Sequence, residues 1–370
     1  MTTPPAGIPD RLTLRDIGCR AVRVPLVFTL GTSAAIVRAV PLLLVDLSTD
    51  EGPVGRTYLF CYTGSGARAI AEHIREAADL VRGKAASPLA QTQFLQRRFA
   101  LLGVTGTVRM ALSAIDMAFW DAHTRSTGRP LSHLLGGDSR PLPAYDSRGL
   151  GLMAQQALAD EAEKMLALGL KALKLRLGYP TLAEDLAALD AVRDRVGTSV
   201  AIMVDYNQAL TPAEALKRGH ALDKHDILWL EEPISHEDYR SYARLTHALR
   251  TSVQIGENFN GPEGLSRALA AGACDLVMLD VARIGGVTGW IQAGGIAATA
   301  GIEMSSHLMP EISAQLLCAT ASAHWLEYVD WADAFLKEPM RIVDGMAVPS
   351  GRPGAGLDWD EARLQRLETL

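Results

Sequence analysis

The chain has 370 residues, 48% of them hydrophobic and 21% charged, with a net charge of −6. That length and composition suit a large soluble core, arranged as two domains or as one barrel with an addition. The acidic balance argues against nucleic acid or an anionic membrane as partner, and the most apolar early segment is broken by Arg38 and Asp46, too soon for a membrane span.

The start, Met1-Thr-Thr-Pro-Pro-Ala-Gly, has neither the basic nor the apolar region of a secretory signal. Residues 1 to about 10 are Pro-rich and read as disordered. Strand patterns follow over Ile17 to Val24 and Pro41 to Leu47, then over Val54 to Tyr62 after a turn at Asp50-Glu-Gly-Pro. Between the first two, Leu26 to Val40 reads as a flexible stretch containing Gly31, Thr32 and Ser33. Helical patterns run from Ala67 to about Arg82 and from Thr107 to Thr124, where Val108, Leu112, Ile115 and Phe119 mark one buried face. Strands first and helices after predict an α+β domain over residues 11–135.

Gly136-Gly137-Asp138 marks a junction, after which the rhythm becomes strand, helix, strand over residues 136–335. Pro141 to Tyr145 reads as the first strand of this part and Ala172 to Leu177 as the second. The helix between them, Ala154 to Leu168, stops at Gly169, a C′ position. Thr211-Pro-Ala-Glu214 is a helix start, with Thr as cap, Pro in the first turn and Glu three on. From about 336 to 370 the pattern is irregular and is expected to return to the first domain. The four cysteines, Cys19, Cys61, Cys274 and Cys318, are scattered without CxxC spacing, as reduced core thiols of a cytoplasmic protein would be.

The second part is organised by acids at strand ends. Ser199-Val-Ala-Ile-Met-Val-Asp205, Asp226-Ile-Leu-Trp-Leu-Glu231 and Val253-Gln-Ile-Gly-Glu257 each run apolar and then break at a carboxylate, 26 residues apart and 26 again. That is about the length of one strand-plus-helix unit of a parallel barrel. Parallel neighbours end on one face, so Asp205, Glu231 and Glu257 should converge, and oxygen-only ligation favours a hard cation such as Mg²⁺. The blander reading, acids as helix N-caps, accounts for one such position more easily than for three.

Further strands end near Asp280, His307 and Glu327. Lys174 and Arg176 stand two apart on one strand, so they share a face, and an inward cation needs anionic partners, which the carboxylates supply. An Asp such as Asp280 that accepts from one nitrogen of His307 fixes the tautomer and leaves the other nitrogen free as a base. A single strand-end His is otherwise often just a satisfied core residue.

These segments resemble the enolase superfamily, specifically its mandelate racemase subgroup, over nearly the whole chain. The matching stretches include Val24-Pro-Leu, Asp116-Met-Ala-Phe-Trp-Asp, Met203-Val-Asp-Tyr-Asn-Gln, Glu231-Glu-Pro, Gly256-Glu-Asn, Ile284-Gly-Gly-Val-Thr-Gly-Trp, Ser305-Ser-His-Leu and His324-Trp-Leu-Glu. The resemblance implies an α+β capping domain, completed by residues 336–370, over a modified TIM barrel, (β/α)₇β. It implies Mg²⁺ (with Mn²⁺ as a possible substitute) on Asp205, Glu231 and Glu257, and a base dyad of His307 with Asp280. Glu327 would donate a hydrogen bond to the substrate carboxylate, and Asn207 would sit near metal and substrate. The implied partner is a small-molecule carboxylate, and the implied assembly a homo-oligomer, tetramer or octamer.

The implied chemistry is removal of the proton alpha to a carboxylate, through an enediolate whose charge the metal, a lysine and a protonated Glu327 stabilise. Glu327 donates only if burial and nearby anions raise its pKa above the reference of about 4.3. Two departures stand out. Arg176 replaces the family racemase's second lysine, the base opposite the histidine, and Gly149, beside Arg148, replaces a substrate-contacting serine. With a pKa of roughly 13.8, freeing the lone pair of Arg176 at pH 7 costs about 9 kcal/mol, against about 4–5 for an ordinary lysine. The pocket wall carried over from the family is nonetheless apolar or aromatic, comprising Leu30, Val37, Phe60, Tyr62, Leu308 and Val329, with Arg38 on the same loop. Sugar hydroxyls left unpaired against it would cost about 1–3 kcal/mol each. The leading expectation is a mandelate racemase-like racemase or epimerase. The alternatives are an acid-sugar dehydratase with His307 as its single base, a metal-retaining protein without catalysis, and a pyridoxal-phosphate barrel using Lys174.

Overall fold

The computed structural model describes residues 11–32 and 35–370, so the Pro-rich start and Ser33 lie outside the described residues. Three antiparallel strands open the chain: β1 (Leu14–Gly31), β2 (Ile36–Thr49) and β3 (Val54–Phe60). The β1–β2 hairpin runs through much of the stretch expected to be flexible, since Leu30 pairs with Val37 and Gly31 with Ile36. The register slips between Pro25 and Leu30. Proline contributes no ladder N–H, and a break of that kind in the sequence reads as a loop although pairing resumes beyond it.

Three helices follow, α1 (Gly64–Val81), α2 (Pro88–Arg98) and α3 (Gly106–Ser126); α1 and α3 cover the sheet, and α2 packs on α3. The Thr63 side chain caps α1 by accepting from the Gly66 amide, and Ala67, Ile70, Ile74, Ala77, Ala78 and Val81 form its buried stripe. Helix α3 is buried on nearly every side rather than on one. It lies between the first sheet and the second part of the molecule. Gly55 of β3 passes so close that a Cβ there would overlap the Ala118 carbonyl. On another side, the Asp116 carboxylate accepts from Thr92 Oγ1 (2.7 Å) and from the Thr288 amide (2.9 Å).

The second part is an eight-stranded parallel ring. Its strands are β4 (Leu142–Asp146), β5 (Ala172–Arg176), β6 (Ala201–Asp205), β7 (Leu230–Glu231), β8 (Val253–Ile255), β9 (Leu276–Asp280), β10 (Met304–His307) and β11 (Leu326–Tyr328). Neighbours pair in sequence order from β4 to β10, and β11 pairs with β4. The chain just before β11 meets β10 through a Met304–Ala323 bridge and a hydrogen bond from the Ser306 amide to the Trp325 carbonyl (3.0 Å), which completes the ring. Strands β4 to β10 are each followed by an α-helix and β11 by a 3-10 turn at Trp331–Ala334, giving the (β/α)₇β arrangement of a modified TIM barrel. Thr211 caps its helix by accepting from the Glu214 amide at 3.3 Å, as the sequence predicts.

After the barrel, a hairpin of β12 (Arg341–Val343) and β13 (Met346–Val348) attaches to β4, not to the first sheet. The chain then returns to the cap. Trp359 Nε1 donates to Asp46 (2.8 Å), and β14 (Glu368–Thr369) pairs with β1. All four cysteines are unbridged, with Cys61, Cys274 and Cys318 buried. No helix among the described residues is long and apolar enough to cross a membrane.

Candidate active site

The register of the barrel decides which side chains meet. Asp205 and Glu231 are direct partners at the ends of β6 and β7, and Glu257 follows β8 by two residues. One carboxylate oxygen from each of the three lies within 4.8 Å of the others. Asp205 and Glu231 are buried and Glu257 is half-buried, so the repulsion is poorly screened. Burial pushes Glu231 up to about 8, and the charges of Asp205 and Glu257 add to burial against Lys174. Trp229 Nε1 holds one Glu231 oxygen at 3.0 Å, and Asn207 Nδ2 holds Asp205 at 2.8 Å. The Asn207 Oδ1 atom is left buried without a partner. A hard divalent cation fits this all-oxygen donor set, since it would relieve the carboxylates and use a carbonyl oxygen that is otherwise unsatisfied.

Lys174 lies within this charge, with Nζ 2.7 Å from Glu231, 2.8 Å from Glu327 and 3.5 Å from Asp205. Burial favours the neutral amine, but Glu231 and Glu327 outweigh it and hold Lys174 charged, well above the usual lysine range. Arg176 differs, although it shares the face. It is 5% exposed and makes no ion pair among the described residues. It donates instead to the carbonyl of Gly149 (2.6 Å) and to Ser147 Oγ (2.8 Å) and O (3.3 Å), with Nε buried and unpartnered. Of the two cations on β5, only Lys174 therefore reaches the carboxylates.

Paired strands β9 and β10 bring Asp280 opposite His307. Asp280 Oδ2 lies 2.9 Å from His307 Nδ1, while its Oδ1 accepts from the amides of Ala282 and Arg283, which fixes the carboxylate. The other imidazole nitrogen, Nε2, is 3.3 Å from Glu257 and 3.9 Å from Glu327. Burial disfavours the imidazolium, but Glu257, Glu327 and Asp280 together push His307 up to about 9.

Glu327 departs from expectation. Burial raises it, as the sequence argument holds, but Lys174, His307 and the Leu308 amide outweigh burial and bring it down to about 2. The nearest charge is a cation rather than the three acids, and the two Glu327 oxygens face the Lys174 ammonium (2.8 Å) and the Leu308 amide (2.8 Å).

The expected wall residues occupy the cap and the β10 loop. Phe60 and Tyr62 stack with centroids 4.3 Å apart, and Trp331 lies 5.0 Å from Phe60. Leu30 and Val37 face each other across the hairpin, and Leu308 is buried in the left-handed region at φ 53°. Arg148 is committed elsewhere. Its guanidinium binds Asp146 (2.7 Å) and Asp330 (3.3 Å) and lies over the Phe28 and Tyr328 rings. Two further groups lie beside these residues. Glu232 is buried beside the acid trio, with Oε2 on Asn258 (2.8 Å) and Oε1 unpartnered. Arg283 stacks under Tyr62 at 4.9 Å. The doubled acid Glu231-Glu232 was the available signal for the first, and the step of three from Asp280 for the second.

Comparison with known proteins agrees with this geometry. Residues 15–136 match the mandelate racemase / muconate lactonizing enzyme N-terminal domain, and residues 157–363 match the enolase C-terminal domain-like family. An enolase from alpha proteobacterium bal199 with bound magnesium is 40% identical with a TM-score of 0.95, covering 97% of this chain and 100% of that one. An enolase from Bradyrhizobium complexed with magnesium and mandelic acid is 38% identical with a TM-score of 0.92, covering 97% and 99%. The L-talarate/galactarate dehydratase of Salmonella typhimurium is 28% identical over 87% of this chain and 81% of its own length. Other relatives include cycloisomerases and an epimerase.

Proposed function

The chain belongs to the mandelate racemase/muconate lactonizing enzyme family of the enolase superfamily, and on that premise we propose that it removes the α proton of a 2-hydroxycarboxylate bearing an apolar substituent, with His307 as base and Mg²⁺ as cofactor, in a racemase- or epimerase-type reaction. The observation that carries this reading is the His307–Asp280 pair at 2.9 Å beside a three-carboxylate cluster. The Phe60–Tyr62–Trp331 patch supports an aromatic substituent, and the Bradyrhizobium relative is one that binds mandelic acid with magnesium.

Asp205, Glu231 and Glu257 would hold the metal, with Asn207 beside them. When bound, the ion supplies positive charge at the substrate carboxylate, where negative charge grows as the proton leaves. Lys174, kept protonated, adds a second fixed charge to that side of the site. Glu327 orients Lys174 and the Leu308 amide, which makes Lys174, rather than a neutral Glu327, the donor to the substrate carboxylate. Asp280 holds Nδ1 of His307, and a cation on Glu257 would offset the charge that keeps the ring protonated, so that Nε2 could take the proton.

A second reading is favoured by Arg176. A guanidinium bound to two backbone carbonyls and a serine is a poor base for the opposite face. One base suffices for an acid-sugar dehydratase, in which His307 removes the α proton and then protonates the leaving hydroxyl. A non-catalytic, metal-retaining protein has no use for the dyad and is disfavoured. We further propose a cytoplasmic homo-oligomer, tetramer or octamer, by family analogy.

The deciding experiment is NMR of each mandelate enantiomer, and of a small acid-sugar library, incubated with protein and Mg²⁺ in D₂O. Deuterium at the α carbon with loss of optical purity supports the racemase. A 2-keto-3-deoxy product supports the dehydratase. No exchange and no product with either set would sink both.

A further inference from the structure

Among the described residues Arg176 is a buried cation without a carboxylate partner, and the segment that holds it is strained. Leu150 is fully buried with φ +56°, a left-handed conformation that a leucine adopts at a cost of about 1–3 kcal/mol unless its surroundings impose it. Two residues hold it here. Arg176 grips one side: its guanidinium binds the carbonyls of Ser147 and Gly149, and its own amide donates to the Leu150 carbonyl at 3.0 Å. Glu161, on the helix Gln155–Leu166, grips the other, accepting the Leu150 amide at 2.6 Å. Burial raises the Glu161 pKa, against the Leu150 amide and the charge of Arg176, which favour the carboxylate.

Gly149 ties the two together. A Cβ on Gly149 would collide with the Glu161 carboxylate and crowd Met165, so Glu161 fills the space that a side chain at 149 needs. Further along, Gly151 packs directly on Gly31, and the Leu152 amide donates to the Gly31 carbonyl at 2.9 Å, next to Leu30 of the apolar wall. One short loop thus connects Glu161, Arg176 and the tip of the cap hairpin.

We propose that Glu161 is a positioning residue for Arg176: it clamps the 147–152 loop so that the guanidinium stands as a fixed cation for a substrate oxyanion, and it fills the space that a side chain at 149 would need. The clamp stands on geometry alone, whereas the substrate's role rests on the function proposed above. A buried charge held by neutral acceptors is completed by an anion that arrives with the ligand, so loss of its positioning weakens binding more than turnover.

The test uses the full-length, Mg²⁺-loaded protein and the variants Glu161→Ala, Glu161→Gln, Gly149→Ser and Gly149→Ser/Glu161→Ala. Glu161→Ala is expected to speed amide hydrogen exchange at Leu150 at least about tenfold. It should also raise KM for the exchanged hydroxy acid about tenfold, with a smaller change in kcat. Glu161→Gln, which keeps an oxygen for the Leu150 amide, should restore most of both. Gly149→Ser alone should lose activity, and removing Glu161 in the double variant should return part of it. The proposal is overturned if Glu161→Ala lowers thermal stability and active fraction while KM and Leu150 exchange stay unchanged. It is overturned equally if Gly149→Ser is tolerated with Glu161 in place. Should the wild-type protein exchange no hydroxy acid, the functional reading fails, yet Leu150 protection still decides the clamp.

Discussion

His307 gives Nδ1 to Asp280 at 2.9 Å, and Asp280 is in turn fixed by the amides of Ala282 and Arg283. On the proposed function, the pair orients one nitrogen of the ring and leaves the other for proton transfer. General acid–base groups contribute about 10²–10⁴ in rate. His307→Asn should therefore lower deuterium uptake at the α carbon by at least about 10³ on the face that histidine serves, with Mg²⁺ affinity by calorimetry nearly unchanged. Asp280→Asn should give a smaller loss, because the ring remains but its tautomer is no longer set. Undiminished exchange in His307→Asn would remove the dyad from the mechanism.

Arg176→Lys tests whether the second face lacks only a base. Lysine is easier than arginine to deprotonate at pH 7 by about 4–5 kcal/mol. The substitution should open exchange from the enantiomer that the wild type processes more slowly, and raise racemisation, at some loss of binding because Ser147 and Gly149 lose their fork-shaped partner. Chiral chromatography of the product reads it directly. A folded variant with no gain in racemisation would assign Arg176 to substrate holding alone.

The convergence of Asp205, Glu231 and Glu257 is legible in the sequence because parallel strands of even spacing end on one face. The same rule puts Asp280 beside His307. What the sequence does not carry is which charges become nearest neighbours. Glu327 reads as an acid among acids, but the Lys174 ammonium at 2.8 Å reverses its titration. Lys174 and Arg176 read as a matched pair, but only Lys174 reaches carboxylates. Arg148 reads as a pocket residue, yet Asp330, some 180 residues on, helps to hold it. Glu161 carries no motif at all. Its position is set by helix packing, and only the space around Gly149 reveals it.

On the proposed function, the acid cluster makes stability metal-dependent. A ligand that binds only the folded chain stabilises it by about 2.7 kcal/mol at a hundredfold excess over Kd. Adding Mg²⁺ to chelator-treated protein should raise the thermal midpoint, and Mn²⁺ should do the same, as another ion that accepts oxygen ligands. Glu231→Gln should abolish most of that upshift and the α-proton exchange together. An upshift unaffected in Glu231→Gln would mean that the ion binds elsewhere.

Glu311 links cap and barrel, since Tyr58 of β3 donates its hydroxyl to Glu311 Oε2 at 2.7 Å while Oε1 has no partner. Burial pushes its pKa up to about 7, against the Tyr58 hydrogen bond that favours the charged form. An acid whose folded pKa is raised supports the fold fully below its unfolded pKa near 4.5, and that support fades as pH rises through about 7. At pH 8 the wild type bears a poorly solvated carboxylate, a penalty on the order of 1–3 kcal/mol. Glu311→Gln keeps an oxygen for Tyr58 and removes the charge. It should stabilise the protein by a similar amount at pH 8 and by little at pH 5, as urea unfolding at the two pH values would show. Equal effects at both would mean that the Glu311 charge is not what pH acts on at this joint, and a loss at pH 8 would mean that the carboxylate form is the one the fold prefers.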